Sequence, residues 1–383
     1  MLKRFAVKNY KNFKDEIILD FSKVGSYHFS TGCLYDNLVA KLLIYGKNAT
    51  GKTNFVHAIY DVKRLIWDIG KIDETPILNA ASNQNTVDFN YTFVNDKKEM
   101  TYKYSRQQFG RLVYEELTVN GILVYCCDFL KNEYKFPRLD LIQAEGLNTA
   151  TFTEPLKQRG LLGSVVGDII PFLRWVFSNS VMGPQSTLWF LISDTIGISM
   201  VSAHDSRQNS NKKEIDSFYE MLKDEKQLNR FEVFLNTMGV SCKLKIQELP
   251  DGSIELYFDH GKLIPFYSTA SSGTLALTSL YRKVFAVNDL LSVLMIDEFD
   301  AFYHHEMSEK LVRYMINNYR NVQVIMTTHN TNLMNNSLMR PDSLFILSTD
   351  GRLTPLNRAT LRELREGHNL EKMYISGEFA EYE

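Results

Sequence analysis

The run Gly46-Lys47-Asn48-Ala49-Thr50-Gly51-Lys52-Thr53 carries the clearest chemistry in this chain of 383 residues. Its two glycines let the backbone turn tightly enough to aim successive N–H groups inward, and a lysine and a hydroxyl follow at once. Such a loop suits a row of phosphates. The N–H groups cradle them, Lys52 reaches the terminal ones, and Thr53 offers its hydroxyl to magnesium. A helix that begins in the loop points its positive end at the same anions. The largely apolar run Leu38 to Tyr45 supplies the strand in front of the loop. Phe55, Val56, Ile59, Val62, Leu65 and Ile66, at three-to-four spacing, supply an amphipathic helix behind it that ends near Gly70.

Three further clusters bear on a nucleotide. The apolar run Leu290 to Ile296 ends in Asp297-Glu298, as expected of a buried parallel strand delivering acids to a phosphate site. There Asp297 would help hold magnesium, and Glu298 would polarise the water that attacks the γ phosphate. Ser271-Ser272-Gly273-Thr274 precedes a helical stretch from Leu275 to Val287, which places free N–H groups at a second helix N-terminus; an ordinary Ser/Thr cap is the alternative. Val322 to Met326 reads as another buried strand, ending in Thr327-Thr328-His329-Asn330. The His304-His305-Glu306 group lacks the spacing that puts two histidines on one helical face, so no metal is expected there.

The elements that must position these groups follow from periodicity. Residues 2 to 9 and 15 to 21 alternate apolar and polar side chains around Asn9-Tyr10-Lys11-Asn12-Phe13, which predicts a strand pair. Val87 to Val94, Met100 to Gln107, Leu112 to Val119 and Ile122 to Tyr125 read as an antiparallel meander, with Asn120-Gly121 a strong two-residue hairpin signal. Residues 128 to 240 hold apolar helical segments such as Val165 to Phe177 and Ser217 to Met238, with a polar, mobile loop expected at Asp205 to Lys213. Strands return at Cys242 to Glu248 and Ile254 to Asp259 around the turn Pro250-Asp251-Gly252, and βα alternation runs to about Thr349. The fold class is α/β. The expected organisation is a first half with the phosphate loop (1–86), a β meander (87–127), a helical insertion (128–240), a second half (241–350) and a tail (351–383).

Composition narrows the setting. Lys plus Arg number 43 against 45 Asp plus Glu, so no global charge drives the chain onto nucleic acid and any DNA contact needs a local patch. The basic residues Lys97, Lys98, Lys103, Arg106 and Arg111 on the meander are candidates for one, although a solvated strand face accounts for them as well. The four cysteines, Cys33, Cys126, Cys127 and Cys242, show neither zinc nor disulfide spacing, which suits a reducing cytosol. No apolar run approaches the length of a membrane span. A cytoplasmic location is expected.

In chain order, Asn9 to Phe13, the phosphate loop, Ser271 to Thr274, Asp297-Glu298 and Thr327 to Asn330 resemble the motifs of ABC-type, SMC-like ATPases. More narrowly, the chain resembles the ATPases of bacterial abortive-infection loci, the RloA and AbiL type related to the OLD nucleases. The resemblance implies an ABC-type P-loop NTPase head with a mixed central sheet, with ATP and Mg2+ as its ligands. It implies that His329 is the switch histidine contacting the γ phosphate, that Asp300 belongs to the D-loop, and that Ser271 to Thr274 form the signature that caps ATP held by a second subunit. Gly46 to Asn54 would be the first half of that shared site. The segment Asn369 to Phe379 resembles the family's terminal motif without the Gly and Pro that usually follow. The middle of the chain lacks the heptads of a long coiled-coil arm, and the stretch after His329 is too short for the TOPRIM nuclease domain of OLD proteins.

The leading expectation is therefore an ATPase that forms a homodimer or larger assembly around ATP. It would gate an effector encoded nearby, a TOPRIM or HNH nuclease or a toxin, in anti-phage defence, with no nuclease of its own. One alternative is a DNA-repair or DNA-clamping ATPase. Another is a scaffold that binds ATP and scarcely turns it over.

Overall fold

The computed structural model describes residues 1–68, 76–95, 98–144, 146–159, 169–182, 186–202, 212–285 and 290–383. Most of the polar loop expected at Asp205 to Lys213 lies outside these residues. So do Gly70, Lys97 and the predicted end of the helix near Val287.

Six strands form the central sheet in the order Ile198–Ser202, Val293–Asp297, Gln323–Thr328, Lys41–Tyr45, Leu344–Leu347 and Leu353–Pro355. The first five run parallel and the last is antiparallel, so the sheet is mixed as expected. Lys41–Tyr45, Val293–Asp297, Gln323–Thr328 and Leu344–Leu347 are buried along their whole length. That is why they read as continuous apolar runs rather than alternating ones. Successive residues serve opposite faces. Leu42, Ile44, Val293 and Met295 enter one apolar layer, and Leu43, Tyr45, Leu294 and Ile296 enter the other.

A second, seven-stranded antiparallel sheet runs Glu133–Lys135, Ile122–Asp128, Leu112–Val119, Lys98–Arg106, Val87–Asn95, Leu2–Lys8, Ile17–Asp20. The Asn120-Gly121 hairpin forms as its residue types require, with φ of 49° and 76°, both in the left-handed region. Leu2–Lys8 pairs directly with Val87–Asn95. The boundary expected at residues 86 and 87 therefore cuts a continuous sheet, because the front strand pairs on one side with its sequence neighbour Ile17–Asp20 and on the other with a strand beyond the phosphate-loop helix.

That helix, Lys52–Trp67, lies between the two sheets. Phe55 meets Phe5 edge-on at 5.7 Å between centroids. Tyr91 donates its hydroxyl to the Ala58 carbonyl at 2.6 Å, and Tyr104 donates to Asp61 at 2.8 Å. Asp61 also pairs with Arg106, and both are buried. A buried pair of this kind contributes little net stability while intact, but removing one partner strands a charge. Arg106, counted above among a possible surface patch, is thus a core residue. The strand alternation turns it inward.

The helical insertion expected over residues 128 to 240 needs correction. It contributes helices at Ala150–Arg159, Phe172–Asn179, Thr187–Ile196, Lys212–Leu222 and Glu225–Thr237. It also contributes Ile198–Ser202, which pairs in parallel with Val293–Asp297 as the edge of the central sheet. Five residues between Gly197 and a polar stretch of sequence carry little period, and their partner lies far downstream. Glu115 ties the meander to these helices. Its buried carboxylate accepts from the Phe172 and Leu173 N–H groups at 2.6 and 2.8 Å and from the Tyr102 and Tyr125 hydroxyls. The strands Leu244–Glu248 and Ile254–Asp259 form a separate three-stranded sheet with Leu263–Pro265.

Two polar side chains fasten the centre. Gln323 accepts from the Leu2 N–H and donates to the Leu2 carbonyl, both at 2.7 Å. Lys41 is fully buried and donates to the Val322 carbonyl at 2.7 Å, and burial pulls its ammonium down to about 8.

Candidate functional site

The parallel order sends the ends of Lys41–Tyr45, Val293–Asp297 and Gln323–Thr328 to one edge, where ligands sit in open α/β sheets. Gly46 follows the first strand without room for a side chain. A Cβ there would lie 2.8 Å from the Leu347 carbonyl oxygen. Gly51 ends the loop at φ 101°, and a Cβ on it would lie 2.2 Å from Asn12 Nδ2. Left-handed geometry and close approach both demand glycine there. Asn12 braces the turn by donating to the Thr50 carbonyl and accepting from Asn54 Nδ2, each at 2.8 Å.

Lys52 opens the helix with its ammonium folded over the loop, donating to the Gly46 and Lys47 carbonyls at 2.8 and 3.1 Å. Burial lowers its pKa, while Glu298, Asp297 and Asp300 nearby favour the cation. Lys47, Asn48 and Ala49 are exposed and Thr50 is buried. Thr53 donates from Oγ1 to Asp297 Oδ2 at 2.7 Å. The other carboxylate oxygen, Oδ1, accepts from Thr327 Oγ1 at 2.6 Å, and Thr327 Oγ1 in turn accepts from the Glu298 N–H at 2.7 Å. Asp297 and Thr327 are almost fully buried, and Thr53 is exposed.

Glu298 leaves the strand in the left-handed region, at φ 49°. A non-glycine residue there is uncommon and marks the point where the strand ends. Asp300 accepts from Thr328 Oγ1 at 2.7 Å, and burial outweighs that bond to raise its carboxyl. Thr328 Oγ1 also accepts from the Asn330 N–H at 2.9 Å. Between them, exposed His329 has its imidazolium disfavoured, first by desolvation and then by the Lys52 cation, against the pull of Glu298, Asp300 and Asp297.

The structure thus brings Gly46 to Asn54, Asp297, Glu298 and His329 to one sheet edge. The Ser271 to Thr274 group is organised separately. Ser271 caps the helix Ser272–Leu280, its hydroxyl accepting from the Thr274 N–H at 3.1 Å and lying 2.9 Å from Thr274 Oγ1. Its hydrogen bonds stay within its own helix, and none among the described residues reaches the phosphate loop. The N-cap expected as the alternative is present. Ser271 and Ser272 remain exposed. A Cβ on Gly273 would lie 3.1 Å from the Phe302 carbonyl oxygen, which places this helix end against the turn that follows Asp297-Glu298.

Thr327, Thr328 and Asn12 did not stand out as site residues in the sequence. Their types are ordinary, and their roles come from strand neighbours remote in the chain. For Thr327 the usable signal is a threonine at the end of a buried strand, where a hydroxyl needs a partner.

Oxygen donors dominate this edge. The Thr53 hydroxyl and the Asp297 carboxylate, already in contact, form a hard donor pair of the kind that suits magnesium beside phosphate. A glycine-bounded loop before a helix, a lysine folded over it and a strand ending in acids beside it define a P-loop ATPase of mixed α/β fold. Residues 42–335 match the family described as "AAA domain, putative AbiEii toxin, Type IV TA system", and the chain belongs to it. Among solved structures, it is similar to an SMC head bound to the C-winged helix domain of ScpA, at 13% identity and TM-score 0.48, over 90% of this chain and 93% of that one. It is also similar to the SMC head domain from Thermotoga maritima, at 17% identity and TM-score 0.46, over 92% and 98%. No curated protein matches the chain. No helix among the described residues is long and apolar enough to cross a membrane.

Proposed function

We propose that the protein binds ATP with Mg2+ at Gly46 to Asn54, hydrolyses it, and assembles with a second copy around it. The observation that carries this reading is the single hydrogen-bonded chain from Thr53 through Asp297 and Thr327 to the Glu298 N–H. The loop N–H groups and Lys52 bind and orient the phosphates, and His329 approaches the γ phosphate as a neutral donor. Thr53 and Asp297 hold the magnesium, which when bound neutralises phosphate charge. Glu298, where the strand ends, orients the attacking water and accepts its proton, so the reaction yields ADP and phosphate.

Ser271 to Thr274 of a second copy close the site in this reading. Its support is that the exposed hydroxyls of Ser271 and Ser272 stand at a helix N-terminus outside their own chain's phosphate loop. Closure draws the two chains together and gates an effector in anti-phage defence, a nuclease or toxin encoded nearby. The family description favours a second arrangement, in which this chain is itself the toxic component and the neighbouring product restrains it.

Mixing complementary variants tests the shared site. Lys52→Ala and Ser271→Arg chains are each expected to lose turnover, and a mixture to recover activity through composite sites that carry neither lesion. A mixture no more active than either variant alone refutes sharing between copies. Turnover altered by the neighbouring gene product, but not by DNA, supports gating over a DNA clamp.

A further inference from the structure

Residues Leu370 to Glu383 fold back onto the edge of the sheet that carries the phosphate loop. Leu370 and Phe379 are fully buried in the apolar layer that also holds Tyr45 and Leu333. The helix Leu370–Ile375 packs on the turn Thr331–Leu333, which directly follows His329-Asn330. Upstream, nearly buried Asn336 donates from one nitrogen to the carbonyls of Arg365, Glu366 and His368 at 2.9 to 3.1 Å, which holds the approach to this segment. The segment ends on the loop itself, where the Glu383 carboxylate lies 3.0 Å from Lys47 Nζ. The carboxylate also engages the Tyr374 hydroxyl, and the Glu383 carbonyl accepts from Thr349 Oγ1 at 3.4 Å.

The two partners of this ion pair are unequally placed. The Glu383 side chain is 16% exposed and engages Tyr374 as well as Lys47, whereas that of Lys47 is 61% exposed and long enough to swing. Lys47 is the second residue of the phosphate loop, so a bound polyphosphate offers its ammonium a stronger anion within reach. We propose that Leu370 to Glu383 form a strap that competes with nucleotide phosphate for Lys47, so that nucleotide binding loosens the strap from the phosphate loop and from the turn after His329. This rests on the nucleotide reading given above. Linkage makes the effect reciprocal, since a docked strap lowers nucleotide affinity by the factor with which bound nucleotide weakens docking. The factor is small for a pair exposed on one side, which suits a reporter of occupancy rather than a block.

Titration of the full chain with N-methylanthraniloyl-ATP tests this, using the unsubstituted protein, Glu383→Gln, Lys47→Gln and the double variant. Glu383→Gln is expected to bind about two- to fivefold more tightly at low salt, the range of an exposed ion pair, with the gain shrinking as ionic strength rises. In the Lys47→Gln background the same change is expected to leave affinity unaltered, and amide exchange across 370 to 383 is expected to quicken when the analogue binds the unsubstituted chain. A Glu383→Gln protein that binds no more tightly, a gain that survives loss of Lys47, or unchanged exchange overturns the strap. Failure of the unsubstituted chain to bind the analogue removes the nucleotide reading and the strap together, whereas binding indifferent to Glu383 removes the strap alone.

Discussion

Thr327→Val removes one oxygen and almost no volume, so its cost comes from hydrogen bonds alone. Thr327 is fully buried, donates to Asp297 Oδ1 at 2.6 Å and accepts from the Glu298 N–H at 2.7 Å. A bond to a charged carboxylate contributes about 1.5–3 kcal/mol, and a stranded buried N–H costs about 1–3 kcal/mol. The two losses share one hydroxyl and do not simply add, so we expect about 2–4 kcal/mol of destabilisation. Urea unfolding without nucleotide reads this as a shifted midpoint at constant slope. A second readout separates the site from general stability. Asp297 loses one of two fixing donors, so the Mg2+ concentration for half-maximal turnover is expected to rise about tenfold, in line with lost orienting partners at metal sites. Thr327→Ser keeps the oxygen and should restore both. A Thr327→Val protein within about 0.5 kcal/mol of the original, the range of an ordinary surface change, with an unshifted Mg2+ requirement refutes the reasoning.

Glu298→Gln is expected to keep nucleotide binding, lose turnover and prolong the ATP-bound dimer; an unchanged hydrolysis rate in a phosphate-release assay dismisses Glu298 as the base. His329 has its pKa held below the ordinary 6.5, so the unfolded chain takes up that proton first as pH falls. Stability relative to His329→Gln should therefore rise with pH through the window just under 6.5, as thermal melts will show. The buried Lys41 ammonium, pulled from 10.5 to about 8, reverses the usual expectation for lysine. Between those values only the unfolded chain keeps the proton, so stability relative to Lys41→Met should rise from pH 8 toward 10.5, and a fall across that range contradicts the assignment.

What could be read from the sequence was local or saturated. The phosphate loop announces itself because two glycines, a lysine and a threonine act within eight residues, and Gly51 is irreplaceable for reasons of its own backbone. Val293–Asp297 is legible because a strand buried on both faces has no polar alternation to blur it. Ile198–Ser202 was lost because its strand character comes from pairing with residues nearly a hundred positions away. Arg106 looked like surface until Asp61, on a helix from another part of the chain, drew it inward. Thr327 belongs to the same class, since its importance lies in whose carboxylate stands on the neighbouring strand.

Gln323 stands at the opening of the strand that ends in Thr328, with His329 beyond it, and its carboxamide imitates one peptide unit of a ladder toward Leu2. The end of that strand remote from the phosphate site is thus stitched to the front strand of the antiparallel sheet, so one carboxamide sets the register of the two sheets where no ladder among the described residues joins them.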